Sequence, residues 1–173
     1  TRAIELNPDF TSAYYQRGVV YHQFLGNYND GMADYTMVIK LNPDFPDTYY
    51  NRGHIHQLLG NYEDAIADYT RVIKINHSDA EAYDNRGVSH MQLGNYQDAL
   101  KDITKAIEID PDFQLAYYNR GKLNQKLENY EDAIADYTRA IAIDPNFSIA
   151  YYNRGVIHQK LGNHEDAIAD YTK

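Results

Sequence analysis

Cysteine is absent from the 173 residues, which excludes disulfides and thiolate metal sites and leaves the redox compartment uninformative. Tryptophan is absent too, and proline is held to 5 residues. The longest uninterrupted apolar runs are four residues, as in 140–143, against the roughly 20 that would cross a bilayer. Basic side chains are outnumbered 16 to 25, for a formal charge of −9. A general nucleic-acid or anionic-membrane surface rests on clustered Lys and Arg, so neither partner is expected. No HExxH, P-loop, GxSxG or carboxylate–histidine cluster is present, so catalysis, a metal and a cofactor are not expected either.

What the chain does have is apolar surface, 43% of residues with 18 tyrosines, which argues for a folded protein. It also has a period. The dipeptide Arg-Gly falls at Arg17-Gly18, Arg52-Gly53, Arg86-Gly87, Arg120-Gly121 and Arg154-Gly155, with glycine spacings of 35, 34, 34 and 34 residues. A fixed period of this size means supersecondary units stacked into a solenoid, where each unit is stabilised by its neighbours. Residues 1–8 resemble 138–145, the close of a unit, while 171–173 stop partway through a helix, so the chain reads as a piece of a longer array. The expected division is 1–10 (end of a preceding unit), then 11–45, 46–79, 80–113, 114–147 and the shortened 148–173.

Within a unit, Tyr49, Arg52, Gly53, His56 and Leu59 recur at helical spacing, and a second helix carries Ala65, Ala67, Tyr69, Val72, Ile73 and Ile75. Gly60-Asn61 breaks the two, and Glu63 and Asp64 suit the second helix's N-terminus. Pro43, Pro111 and Pro145 end the second helices. Between the second and third units the proline is missing, and residues 76–79 must make the turn, which predicts a looser joint.

Tyr49, Arg52, Gly53, His56, Ala65 and Tyr69, with the closing proline, resemble the tetratricopeptide repeat (TPR) pattern over the whole chain. The resemblance implies an all-α, right-handed superhelical solenoid of antiparallel helix pairs, with a concave groove lined by the first helices. It implies a protein or peptide partner, and the cytoplasm is the expected setting.

Two departures stand out. Arg takes the place of the family's Leu before each glycine, and an unpaired buried guanidinium is costly. Arg52 lies eight residues before Gly60 and Asp68 eight after it, so in an antiparallel hairpin they share one height. The same spacing pairs Arg86 with Asp102, Arg120 with Asp136 and Arg154 with Asp170, and Arg17 and Asp34 take the corresponding places in the first unit, where one side is a residue longer. The expectation is an internal Arg–Asp ladder that serves register more than stability; the alternative is guanidinium tips snorkelling into water. The second departure is one extra residue between Gly18 and Gly26, requiring either a π-bulge or a longer turn.

Opposite the core stripe of the first helix lie Asp47, Tyr50, Asn51, His54, Gln57 and Leu58. Asn51, Asn85, Asn119 and Asn153 share one place there, with Gln16 in the first unit, and each amide can both donate to and accept from a peptide bond. The row is similar to that in the tetratricopeptide arm of O-GlcNAc transferase. The lysines of the family's carboxylate clamp are not matched, so the resemblance does not extend to chaperone C-terminal tails. A structural bond to the neighbouring unit is the other reading of these asparagines. Tyr15, Tyr50, Tyr118 and Tyr152 add aromatic surface. Asp47, Glu81 and Asp84 against Lys122, Lys126 and Lys160 make the groove acidic at one end and basic at the other. His56, His90 and His158, equivalent to one another, read as packing residues.

The expected function is a non-catalytic scaffold that binds an extended segment in the groove. The alternatives are end-to-end self-assembly, giving a homo-oligomer, and a regulatory arm of a larger enzyme.

Overall fold

The computed structural model describes residues 2–173; Thr1, part of the expected 1–10 segment, lies outside them. Among the described residues a short helix α1 (Arg2–Leu6) precedes five helix pairs. These are α2 (Thr11–Val19) with α3 (Tyr28–Leu41), α4 (Pro46–Leu58) with α5 (Tyr62–Ile75), and α6 (Ala80–Gln92) with α7 (Tyr96–Ile109). They continue with α8 (Gln114–Lys126) and α9 (Tyr130–Ile143), then α10 (Ser148–Lys160) and α11 (His164–Tyr171). Each helix packs on its sequence neighbours, within a pair and from one pair to the next, so the fold is all-α and stacked.

The first helix of a pair ends because Gly60 takes φ +77°, a left-handed conformation that costs glycine little. Gly60 N then donates to Gln57 O at 3.0 Å and Asn61 N to His56 O at 2.8 Å, closing the helix with reciprocal bonds. Gly94 and Gly162 repeat this, but in the fourth unit Glu128 holds φ +62° without glycine's freedom. The second helices end at Asn42, Asn76, Asp110 and Asp144, whose side chains accept the backbone N–H two residues on at 2.9–3.3 Å. The joint without proline uses this same turn. Asp79 also accepts Ala82 N at 2.9 Å, capping α6, and Gln57 Nε2 reaches across to Asn85 O at 2.8 Å. The looser joint expected there is not found, because side-chain caps supply what proline's fixed φ would have.

In the first unit the extra residue sits in a π-helical turn, Val20–Phe24. Leu25 N bonds Val20 O, five residues back, at 3.1 Å. His22 thereby keeps the place that Gln57 holds in the second unit, while Phe24 is pushed out to 76% exposure.

The core lies between the paired helices as a chain of local clusters, such as Tyr49, Ala65, Tyr69, Val72 and Ile73, with no single centre. Close approach is set by the recurrent glycine: a Cβ on Gly87 would lie 2.6 Å from Ile103 Cγ1 and 3.1 Å from Ala99 O. Beside it, the guanidinium of Arg86 forks onto Asp102 through Nε and NH2, both at 2.7 Å. The other four pairs have the same geometry, at 2.6–3.0 Å. Every one of these aspartates is at most 6% exposed, and the arginine side chains are 17–29% exposed. The remaining NH1 of Arg52, Arg86 and Arg154 donates to Thr36, Thr70 and Thr138 of the preceding unit at 3.2, 3.0 and 2.8 Å.

The unequal burial makes the two halves of a pair unequal. Arg86→Met leaves Asp102 buried and unpaired, costing about 3–5 kcal/mol. Asp102→Ala leaves a guanidinium that can reach water and costs about 1–3 kcal/mol. Urea unfolding of the two variants checks the order; equal losses below about 1 kcal/mol would contradict it.

Candidate functional site

Successive residues of a helix point about 100° apart, so Asn51, one residue before Arg52, leaves the core side and faces the adjoining unit. Its Nδ2 donates to Tyr15 Oη at 3.1 Å. Asn85 does the same to Tyr50 Oη at 3.0 Å, Asn119 to Asp84 Oδ2 at 2.8 Å and Asn153 to Tyr118 Oη at 3.2 Å. The asparagine row and the tyrosine row are thus one hydrogen-bonded series running from unit to unit. Each bond uses a single N–H, and among the described residues nothing donates to the four amide oxygens. Gln16 and Tyr152 are exposed at the two ends of the series.

Tyr15, Tyr50 and Asn51 come together in a cleft of about 640 Å³ that runs across the first three units. Its far wall is Asn76 and residues 78–81 with Ile109 and Asp110. The charged residues lining it are Asp47, Asp79, Glu81 and Asp110, all acidic. Tyr50 Oη donates to Glu81 Oε2 at 2.9 Å. Burial, and then the acids beside them, push the phenols of Tyr15 and Tyr50 up from the usual tyrosine range.

Several groove expectations need correction. Asp84 is not an exposed groove charge but is 4% exposed, with Oδ1 lacking any partner. Burial, reinforced by the Glu81 charge, pushes its carboxyl up to about 7 against the Asn119 bond. His54 is half-buried and tied to the preceding unit, Nδ1 lying 3.0 Å from His22 Nε2. Burial draws both imidazoles below their ordinary value. Gln57 does not line open surface: it accepts from Tyr69 Oη at 2.8 Å while donating to Asn85 O. Lys122 is exposed with Nζ over the Tyr118 ring at 5.6 Å. Lys126 and Lys160 lie instead over the rings of Tyr96 and Tyr130, at the turns of the preceding units.

The tyrosine–glutamine bond recurs as Tyr137 to Gln125 at 2.8 Å and Tyr171 to Gln159 at 3.0 Å, with His22 near Tyr35 in the first unit. The sequence carried its signal in the third unit, where Ile103 and Met91 replace both partners at once. Among the described residues no group of three or more His, Asp or Glu is placed to hold a metal ion, and no helix is long and apolar enough to cross a membrane.

Comparison with known proteins agrees with this architecture. Models described as tetratricopeptide repeat match residues 46–79, 80–113 and 103–135, and one described as TPR repeat matches 25–60 and 126–162. MamA from Desulfovibrio magneticus RS-1 superposes with a TM-score of 0.84 at 19% identity, covering 94% of this chain and 91% of its own. A tetratricopeptide repeat protein from Parabacteroides merdae gives 0.82 at 24% identity, covering 98% and 66%. YrrB, described as a TPR protein with an unusual peptide-binding site, gives 0.76 at 19%, covering 98% and 87%. No curated protein matches the chain.

Asp84 gives the joint between the third and fourth units a pH response. Its folded-state pKa, about 7, is above the unfolded value of 3.8, so the stability it confers is full below pH 4 and is lost as pH rises through 7. Asp84→Asn keeps an acceptor for Asn119 and removes the buried charge. The variant should match wild type near pH 4 and exceed it by about 2–4 kcal/mol at pH 8 in thermal melts. A gain that does not grow with pH would contradict this.

Proposed function

Given that the chain belongs to the tetratricopeptide repeat family, whose members mediate protein–protein interactions, we propose that it is a non-catalytic scaffold holding an extended segment of a partner protein along the concave face of the first helices. The observation that carries this reading is the state of the asparagines. Each amide is oriented by one bond to the unit before it and keeps an N–H and an oxygen for a ligand. A peptide backbone offers the complementary pair at each residue, and a preoriented donor and acceptor lose little entropy on binding. The half-exposed tyrosines Tyr15, Tyr50 and Tyr118 flank the row with rigid amphipathic surface. YrrB's described peptide-binding site is in keeping with such a use of this fold.

A second reading, association of copies end to end, draws on exposed apolar residues at both ends of the stack. Leu6 is 71% exposed, and Val20, whose counterparts Ile55, Leu123 and Ile157 are fully buried, is 46% exposed; at the other end Ile168 is 63% exposed. Such a contact would be heterologous and open-ended.

Asn51→Ala with Asn85→Ala separates the readings. These two amides bond only tyrosine hydroxyls, whereas removing Asn119 would strip the buried Asp84 of its donor. Peptides selected on the wild type from a randomised decapeptide library should bind the double variant at least tenfold more weakly, about 1.4 kcal/mol or more, with helicity and melting kept. Unchanged binding, or no selected peptide together with a sedimentation coefficient that climbs with concentration, would replace the groove reading with assembly.

A further inference from the structure

The chemistry of the bound segment can be read from the cleft of the first three units, taking the concave-face reading as the premise. We propose that this cleft receives a lysine or arginine side chain of the segment, held between the Tyr15 and Tyr50 rings and the Glu81 and Asp47 carboxylates.

The first support is an asymmetry among the protein's own tyrosines. The ring one residue ahead of each groove asparagine has a cation on it in the fourth unit, where Lys122 Nζ stands 5.6 Å from the centre of Tyr118. Lys122 comes one helical turn after Tyr118. The residues one turn after Tyr15 and Tyr50 are Val19 and His54, and the His54 ring is committed to His22. The tyrosines of the core stripe are served as well: Arg17, Arg52, Arg86, Arg120 and Arg154 each lie 5.5–6.0 Å from the ring three residues before them. Among the described residues Tyr15, Tyr50 and the exposed Tyr152 have no such cation, and of these Tyr15 and Tyr50 lie in the cleft lined by acids. A cation over a tyrosine face gains from the ring's quadrupole, and more so beside carboxylates.

The second support is the cleft itself. All four of its charged lining residues are negative, no Lys, Arg or His lines it, and about 640 Å³ accommodates a long side chain together with the strand that bears it. Glu81 is held in place by the Tyr50 hydroxyl at 2.9 Å, so its other oxygen faces a ligand without a competing partner from the chain. The Tyr15 and Tyr50 phenols are neutral at physiological pH, and burial raises both further. The site therefore asks for a cation, not for an anion or an apolar side chain.

The test uses decapeptides selected on the wild-type chain from a randomised display library, resynthesised with free ends blocked. Binders should share one Lys or Arg at a fixed position, and its replacement by acetyl-lysine or citrulline should weaken binding about tenfold or more. Glu81→Gln and Tyr50→Leu should cause a similar loss, whereas Glu165→Gln, an acid of equal charge on the first turn of α11, should leave affinity unchanged. Binders without a shared basic residue that are still lost on Asn51→Ala with Asn85→Ala would overturn the cation site and leave the scaffold reading standing. Equal losses from Glu165→Gln and Glu81→Gln would overturn it in favour of diffuse attraction to the chain's net charge. Selection of no binder at all would remove both.

Discussion

The interaction on which the rest of the structure depends is the arginine fork. In each unit a guanidinium leaves the first helix, grips an aspartate of the second with two parallel bonds, and lies over a tyrosine ring one turn back along its own helix. Where its third nitrogen reaches a threonine of the preceding unit, one side chain ties three helices together. A planar, five-donor group can do this and an ammonium cannot. Because the fork holds rotation as well as distance, its neighbours in the Asn-Arg-Gly triplet are also placed. The glycine lets the paired helix approach, and the asparagine is turned toward the adjoining unit. Core packing and the presented amide row are therefore set by three consecutive residues.

The repeat is not uniform, and its variation is coordinated. In the third unit Asp84 stands where other units have tyrosine, Ile103 replaces the buried tyrosine across from it, and Met91 replaces the glutamine that such a tyrosine would bond. An unpaired amide or phenol in the core costs about 1–3 kcal/mol, so losing both partners together is the stable way to change either. The fourth unit continues the variation: Arg120 spends its nitrogens on Asp136 alone, and Asn124, in the place of the usual histidine, donates to the same aspartate at 3.1 Å. The joint between these two units thus differs chemically from the others while its backbone keeps the same turn.

Much of this was legible in the residues. The period gave the stacked pairs, and equal spacing of Arg52 and Asp68 about Gly60 placed at one height two groups that lie 2.7 Å apart. What was not legible depends on depth and on contacts between units, neither of which periodicity reports. Asp84 looks like an exposed groove charge because it sits one helical turn from Glu81, yet it is buried in the stack and bonded by Asn119 of the fourth unit. His54 looks free because its partner, His22, is brought to it by a π-helical turn whose position within residues 19–25 could not be read from an inserted residue. The missing proline suggested looseness, yet Asp79 and Gln57 replace its constraint with hydrogen bonds.

The central claim is that the asparagine row is a ligand surface whose geometry the forks maintain. The most direct measurement is nitrogen-resolved NMR of the side-chain amides during titration with a selected peptide. The account requires the largest shifts at Nδ2 of Asn51, Asn85, Asn119 and Asn153, with the exposed α7 residues Lys101 and Lys105 unmoved. Shifts confined to α7, or to the end residues Leu6 and Ile168, would contradict it.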